Sequence, residues 1–443
     1  MKKPSLLSEI KILLANALVF SASSALMLMN NFSDQYFVGL QGRAQVTAYS
    51  LNVPIFWILV SSSAALSAVY SARVKKHLTV GDTESANAEA IRALVYTQIF
   101  GLIFTAIVAV IMVPIFSSIN EPDIADSALQ FMLPILLLSS IIFENSVLGG
   151  LLTAEGKMKV YLMGLVVMLI ANIIGDRVFV NELGMGIFGN GLSTVLGAAW
   201  SLLILASWYR MGKTKVKLSL KNFSWSLDTA RSVWMHIRTF LVRHLTKDTA
   251  ELLIRFMLFT TYAVTYGVPM LFSSLIAVIG LGAGTHLSTI YRQMYAVRDT
   301  DGARRLFIRS TVIIVSFTFL LALIIRAAAD PLMDPFIPAD AAANSKEMMV
   351  WTLGVVCFTA PFVGMKYMAN AVSAPVGRFA GATGLLIIWA SAKVILFYLA
   401  LDVSYEYAIY TILLERVVAA VASLFITFWH LRHTYAPCKF TPA

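Results

Sequence analysis

The sequence predicts an all-α membrane protein: twelve transmembrane helices in two six-helix bundles related by a pseudo-twofold axis. Three observations lead there. Of the 443 residues, 58% are hydrophobic and only 13% charged, with a mean hydropathy of +0.77. A soluble globule carries roughly 45–50% apolar and about 25% charged residues. The apolar residues form continuous runs rather than alternating ones, which favours helices over a barrel. Lysine and arginine, finally, segregate to alternate loops.

A spanning helix needs about 20 apolar residues. Twelve stretches qualify: 12–37, 51–71, 93–117, 128–152, 159–180, 185–209, 242–263, 266–292, 309–328, 349–372, 380–402 and 405–431. The second, eighth and last also carry polar residues, so their ends are less sharply set.

The charge distribution orients these spans. Of the 34 lysines and arginines, 26 assign to one side. They occupy the N-terminus (Lys2, Lys3, Lys11), the 72–92 loop (Arg73, Lys75, Lys76, Arg92), Lys157 and Lys159, nine positions within 210–247, and Arg292 through Arg309. Arg378, Arg432 and Lys439 complete the set. Arg43, Arg177, Arg326 and Lys346 lie on the other side, near Glu121, Asp123 and Asp126. This positive-inside asymmetry predicts an integral protein of the inner or plasma membrane with both termini cytoplasmic. The net charge of +10 then reports topology, and no nucleic-acid partner is expected. Membrane lipid is the expected partner of a chain expected to be a monomer. Cys357 and Cys438 fall in a span and in the tail, so no disulfide is expected. The first span follows lysines, as a signal peptide would, but lacks a small-residue cleavage site and reads as a mature helix.

The chain also echoes itself at an offset of 215–221 residues. Val53-Pro54 answers Val268-Pro269, and Asp82-Thr83 answers Asp299-Thr300. Pro114-Ile115-Phe116 answers Pro335-Phe336-Ile337, and the turn at Ala154-Glu155-Gly156 answers one at Ala374-Pro375. Six spans per offset make the halves parallel repeats. The expected division is an N-terminal six-helix lobe (1–209), a cytoplasmic linker (210–240), a C-terminal six-helix lobe (241–434) and a tail (435–443). The basic linker could serve two bundles that move, or lie along the headgroups through Trp225 and Trp234; both can hold together.

Asp34 and Asp176 interrupt apolar spans, where an ionisable group costs several kcal/mol unless paired or hydrated. Asn172 precedes Asp176 by four residues and shares its helix face. Thr194 lies about 12 Å along the sixth span at 1.5 Å per residue. Together they form an oxygen-only set suited to a hard cation, or to two carboxyls sharing a proton. The alternative is a packing network in which the amide and hydroxyl merely satisfy the acids. Glu251 and Arg255, spaced i,i+4, are expected to neutralise each other, and Glu415 and Arg416 could be similarly local. Glu144, Lys366 and Lys393 show no partner in the sequence and would line a cavity or snorkel. Gly184-Met-Gly186-Ile-Phe-Gly189 fits a dinucleotide pattern, but without a strand before it close helix packing is the better reading. Gly280-Leu-Gly282-Ala-Gly284 reads the same way. Methionines and phenylalanines would fill the core, face lipid, or form an adaptable cavity.

The run Asn31-Phe-Ser-Asp34-Gln-Tyr-Phe-Val-Gly39, with Gly42 and Ala44, resembles the first-helix signature of multidrug and toxic compound extrusion (MATE) transporters. Asn172-Ile-Ile-Gly-Asp176, Leu183-Gly-Met-Gly186-Ile-Phe-Gly189 and Ser193-Thr194 resemble the family's fifth-to-sixth helix signature. The resemblance implies a DinF-like antiporter that exports cationic or amphipathic organic solutes by alternating access. In that branch the positions matching Asp34, Asn172, Asp176 and Thr194 hold the H⁺ or Na⁺. Glu251 and Lys366 are secondary candidates, Glu251 being similar to an acidic seventh helix of another branch. No cofactor beyond the coupling ion is implied. Two departures stand out: Arg177 occupies a position that is usually proline, and no proline lies between Pro4 and Pro54. A lipid-linked oligosaccharide flippase is the alternative within the superfamily, wanting cavity cations of which only Arg255, Lys366 and Lys393 are available. An embedded prenyltransferase would need paired acidic metal sites in cytoplasmic loops, approached only by Asp82, Asp299 and Asp301. The chain is therefore expected not to be an enzyme.

Overall fold

The structure, a computed structural model, describes residues 6–259, 262–297, 299–373 and 380–433, and these contain helices and no strand. In chain order they are α1 (Leu6–Gly39), α2 (Arg43–Thr79), α3 (Thr83–Ser117), α4 (Pro122–Leu137), α5 (Ser139–Ala154), α6 (Met158–Asp176) and α7 (Gly186–Arg210). Then follow α8 (Leu227–Leu258), α9 (Ala263–Ala296), α10 (Thr300–Ala327), the short α11 (Ala329–Met333), α12 (Ser345–Val356), α13 (Ala360–Ser373), α14 (Ala380–Leu401) and α15 (Tyr405–His433).

Among the described residues nine helices are long and apolar enough to cross a membrane, and α4 with α5 makes a tenth. In this count α12 and α13 form one span through a 3₁₀ turn at Cys357–Thr359. α8 and α14 are the helices of the remaining two expected stretches, α14 with an apolar part at Leu386–Leu401. The span expected at 128–152 is broken: α4 and α5 meet at Leu138 with a bend of 52°. The Ser139-Ser140 pair stands directly at this break, a position where serine recurs at helix kinks, whereas the bond from the Leu138 N–H to the Pro134 carbonyl is kept at 3.0 Å. The seventh span begins at Leu227 rather than 242, inside the segment expected to be linker. Ser226 starts it by accepting from the Thr229 backbone N–H at 3.1 Å, a side-chain cap.

The helices group into two compact units. One comprises Met29–Val264 and Phe336–Ala341; the other comprises Met1–Leu28, Thr265–Pro335 and Ala342–Ala443. In the first, α2 is the central column, packed by α3, α4, α5 and α8, while α6 and α7 lie against each other along their length. Small residues set these approaches. A side chain at Gly191 would meet the Phe131 carbonyl at 2.2 Å, and one at Gly197 the Met168 carbonyl at 2.8 Å. In the second unit Leu13, Ala17, Ala283, Leu287, Phe307 and Met368 belong to one buried cluster. A Cβ at Gly280 would lie 2.4 Å from the Gly364 backbone, and one at Gly282 would lie 2.2 Å from the Ala17 carbonyl. The expectation of close packing at this glycine run is met.

The internal repeat has matching local geometry. Asp82 accepts from the Ser85 N–H at 3.0 Å and caps α3; Asp299 accepts from the Gly302 N–H at 2.8 Å and caps α10. Ala86 and Ala303, four residues beyond each cap, are both fully buried. Pro54 and Pro269 both sit inside helices. Pro114 lies inside α3, whereas Pro335 falls in the 3₁₀ turn Asp334–Phe336. The turn at Ala374-Pro375 lies outside the described residues, as do Cys438 and the tail.

Candidate functional site

Asp34 sits five residues before the end of α1, and Asp176 is the last residue of α6. Both are buried, at 2% and 0% exposure, as are Asn172 at 0% and Thr194 at 3%. The four residues singled out from the sequence therefore meet within the first unit. Asn172 Nδ2 donates to Asp34 Oδ1 at 3.0 Å, and Thr194 Oγ1 donates to Asp34 Oδ2 at 3.4 Å. The same amide nitrogen lies 3.3 Å from Ser193 Oγ, whose hydroxyl donates to Asp176 Oδ1. An unbroken polar path thus joins the two acids.

Local structure explains the convergence. Asn172 and Asp176 lie one turn apart on α6, so both turn the same way. Immediately after Asp176 the backbone widens into a π-helical stretch, Arg177–Glu182, where the expected proline is replaced by Arg177. π-helical turns recur at functional sites because they displace a side chain from the regular ladder. Arg177 turns outward and pairs with Glu182 at 3.5 Å, both largely exposed. The chain then reverses through Gly184 and Gly186, at φ 63° and 57°, which only glycine adopts readily. That reversal sends α7 back along α6. Gly175 then lets the Ser193 Cβ approach to 2.8 Å of where its own Cβ would stand.

Four further residues complete the site. Asn190 Nδ2 donates to Asp176 Oδ1 at 2.8 Å, and Ser33 Oγ donates to Asp176 Oδ2 at 3.3 Å. The Tyr49 hydroxyl, from α2, is 3.5 Å from Asp34 Oδ2. Ser193 is the fourth. Asn190, Ser193 and Thr194 follow i, i+3, i+4 spacing and could have been found as one polar face on α7. Ser33 neighbours Asp34. Tyr49 left no signal, because its approach depends on how α2 packs on α1.

Every one of these donors is a neutral amide or hydroxyl. Two acids buried side by side with neutral donors are under-compensated, since burying a charge is costly unless an opposite charge accompanies it. The side-chain oxygens of Asn172 and Asn190 are buried and accept no hydrogen bond among the described residues. Two carboxylates and two orphaned amide oxygens, with hydroxyls beside them, are the ligand chemistry of a hard cation.

The secondary candidates lie elsewhere. Glu251 pairs with Arg255 at 3.3 Å on α8, the expected i,i+4 contact. Arg255 also donates to the Ser50 carbonyl at 3.1 Å and its hydroxyl at 2.9 Å. Glu251 thus reaches the residue beside Tyr49 through Arg255. Lys366 is half-buried on α13 in the other unit. Glu415 and Arg416 do not pair with each other as a local couple. Glu415 accepts from Trp389 Nε1 at 2.8 Å, and Arg416 donates to Ser273 Oγ at 2.9 Å and to the Thr359 hydroxyl.

This is the architecture of a polytopic helical membrane protein with a buried acidic pocket in one unit. Comparison with known proteins gives it a family context. Residues 20–178 match the MatE family, a stretch that contains Asp34, Asn172 and Asp176. The fold matches a multidrug resistance MATE family transporter of the MOP superfamily in an inward-facing conformation. That match has a TM-score of 0.82 at 19% identity, covering 94% of this chain and 100% of that one. A MATE structure in complex with MaL6 matches at TM-score 0.77 and 18% identity, with 96% of each chain covered. A MOP superfamily transporter from Pyrococcus furiosus matches at 0.75 and 19%, again with 96% of each covered. None of the curated proteins compared matches the chain. The chain therefore has the MATE fold, as its sequence motifs led us to expect.

Proposed function

We propose that the protein is a MATE-type secondary transporter that exports organic solutes, cationic or amphipathic, in exchange for H⁺ or Na⁺. The observation that carries this reading is the pair of buried acids, Asp34 and Asp176, linked through Asn172 and Ser193 and served by neutral donors alone. Such a pocket gains by taking up one positive charge. A proton shared between the carboxyls, or a sodium ion held by the carboxylates with the Asn172 and Asn190 oxygens, supplies it. A cation bound more tightly in one conformation than another shifts the balance between them, which is what antiport requires. The flippase alternative needs a cationic cavity, and Arg255 is neutralised by Glu251. The reading makes the protein a carrier, not an enzyme, of the inner or plasma membrane with cytoplasmic termini.

Everted vesicles loaded by a fluorescent organic cation test this. A pH step and a sodium step, applied in turn, identify the ion. Asp34→Asn and Asp176→Asn are expected to abolish gradient-driven efflux while the purified proteins keep the thermal stability of the wild type. Undiminished efflux by both variants would remove the pocket from the mechanism.

A further inference from the structure

The second unit contains a cavity of about 340 Å³ between the first half of α1, the last third of α9 and the start of α10. Ile12, Leu13, Ile290 and Ile313 give it an apolar wall, and Arg305 and Arg309 stand at its rim. The two arginines are spaced i,i+4 on α10, so they share one face, and both are exposed. Ile12 is 57% exposed, so the apolar wall opens outward. Deeper in, His286 is held by Asn16 at 3.2 Å and lies against the Phe20 ring at a centroid distance of 5.5 Å. At the start of α10 the carboxylate of Asp299 is committed to the Gly302 N–H.

The height of this cavity follows from helix length. α10 has 28 residues, about 42 Å at 1.5 Å per residue, against a hydrocarbon core of about 30 Å. Its excess of about 12 Å, or eight residues, we assign to the first turns, where Arg304, Arg305 and Arg309 cluster, against Arg326 alone in the last turn; this puts them in the headgroup layer. Arg305 and Arg309 then stand at and just below the level of lipid phosphates, above an apolar groove open to the acyl chains.

We infer that this cavity binds an anionic phospholipid, its phosphate held by Arg305 and Arg309 and one acyl chain laid along Ile12, Leu13 and Ile313. The two halves of the site select together. Paired guanidinium groups match phosphate oxygens in geometry and charge, and basic pockets between transmembrane helices are a known way to hold anionic headgroups. An organic cation is repelled by the arginines. A free phosphate ion has no use for the apolar wall. The site needs only that the chain resides in a bilayer, and it stands whether or not the acid pocket couples transport.

Native mass spectrometry of the purified full-length protein, with palmitoyl-oleoyl phosphatidylglycerol against phosphatidylcholine of the same chains, tests it. The wild type should retain phosphatidylglycerol in preference to phosphatidylcholine. The Arg305→Ala/Arg309→Ala double variant should bind it roughly 30-fold more weakly, at the usual contribution of each of two basic side chains near an anionic surface. Ile12→Trp, which fills the mouth and leaves both arginines in place, should lose the lipid as well. Equal retention of the two lipids by the wild type overturns the inference, and this comparison decides even where a variant fails to fold. So does unchanged phosphatidylglycerol binding by a folded double variant. Displacement of phosphatidylglycerol by millimolar inorganic phosphate would make this a soluble-anion site and equally overturn it.

Discussion

Asn172 donates its amide N–H to Asp34 at 3.0 Å while its own carbonyl oxygen is buried and accepts nothing among the described residues. One side chain therefore both steadies a carboxylate and offers a vacant ligand beside it. The first would serve a simple packing network as well; the second would not, because there a buried acceptor without a partner is a cost of about 1–3 kcal/mol.

The two coupling ions make different demands on this residue, and Asn172→Ala separates them. A hydrogen bond to a charged group contributes about 1.5–3 kcal/mol. If sodium drives efflux, losing both the donor and the oxygen should weaken sodium roughly 10- to 100-fold. Half-maximal efflux then moves to higher sodium. If protons drive it, Asp34 loses a donor, so the pH dependence of efflux shifts while added sodium has no effect. Titrating efflux against each ion in vesicles reads the outcome, and no shift in either would deny Asn172 a part in coupling.

A second prediction concerns the α3 cap. The Ser85 hydroxyl and backbone N–H hold the Asp82 carboxyl below the usual carboxylate range, with His77 adding a smaller effect. A depressed folded-state value means the cap stabilises above the unfolded value and fades as pH falls through the folded one. Asp82→Ala should therefore lower the melting temperature at neutral pH, and the gap from wild type should narrow below about pH 4. Thermal unfolding followed by intrinsic fluorescence across pH checks it. A gap that stays constant into acid would assign the effect to packing rather than to the cap.

Much of this was legible in the sequence for one physical reason: in an apolar chain a carboxylate is conspicuous. Asp34 and Asp176 announced themselves by cost, and Asn172 by helical spacing from Asp176. Ser33, Ser193 and Asn190 were quieter, because a serine or an asparagine in a membrane helix satisfies itself on the backbone cheaply and carries no such signal. The bend at Leu138 and the early start of α8 were hidden for another reason. Hydropathy averages over a window, and it neither sees a break inside an apolar run nor credits a polar helix. The capping pair Ser226–Thr229 was the local sign of α8, and it outranks hydropathy there.

Glycine contacts around the pocket give a third prediction. A methyl group at Gly191 would meet the Phe131 carbonyl carbon at 3.2 Å and its oxygen at 2.2 Å. Backbone cannot yield as a side chain can, so α7 must shift off α4. Overpacking of this kind costs about 1–3 kcal/mol. Because Asn190, Ser193 and Thr194 ride on the same helix, Gly191→Ala should lower both thermal stability and cation-driven efflux. Alanine at this position with unaltered melting and unaltered efflux would mean that the α4–α7 contact is looser than the structure has it.

The segment between α7 and α8 is fastened to the first unit, and this yields the last prediction. The Glu155 side chain is fully buried and accepts from the Lys215 N–H at 2.8 Å, the Val216 N–H at 3.3 Å and Lys157 Nζ at 3.2 Å. Further along, Asn87 accepts from the Lys217 N–H at 2.7 Å, and Tyr96 stacks on Trp225 at 5.6 Å. Arg92 donates to the Ser224 carbonyl at 3.0 Å. A freely flexible connector would show none of these. Trp225, although 70% exposed, is held by an aromatic partner, so a place along the headgroups and attachment to the helices are compatible. Glu155→Ala removes three bonds at one point and leaves the backbone N–H of the buried Val216 without its acceptor, at about 1–3 kcal/mol. The lysines at 213, 215 and 217 should then become more open to trypsin, by roughly tenfold or more where cleavage follows the population of the released strap. The ends of α7 and α8 should keep their protection. Limited proteolysis of the purified protein, with fragments weighed by mass spectrometry, makes the comparison. Equal cleavage rates in variant and wild type would show that Glu155 does not hold the strap.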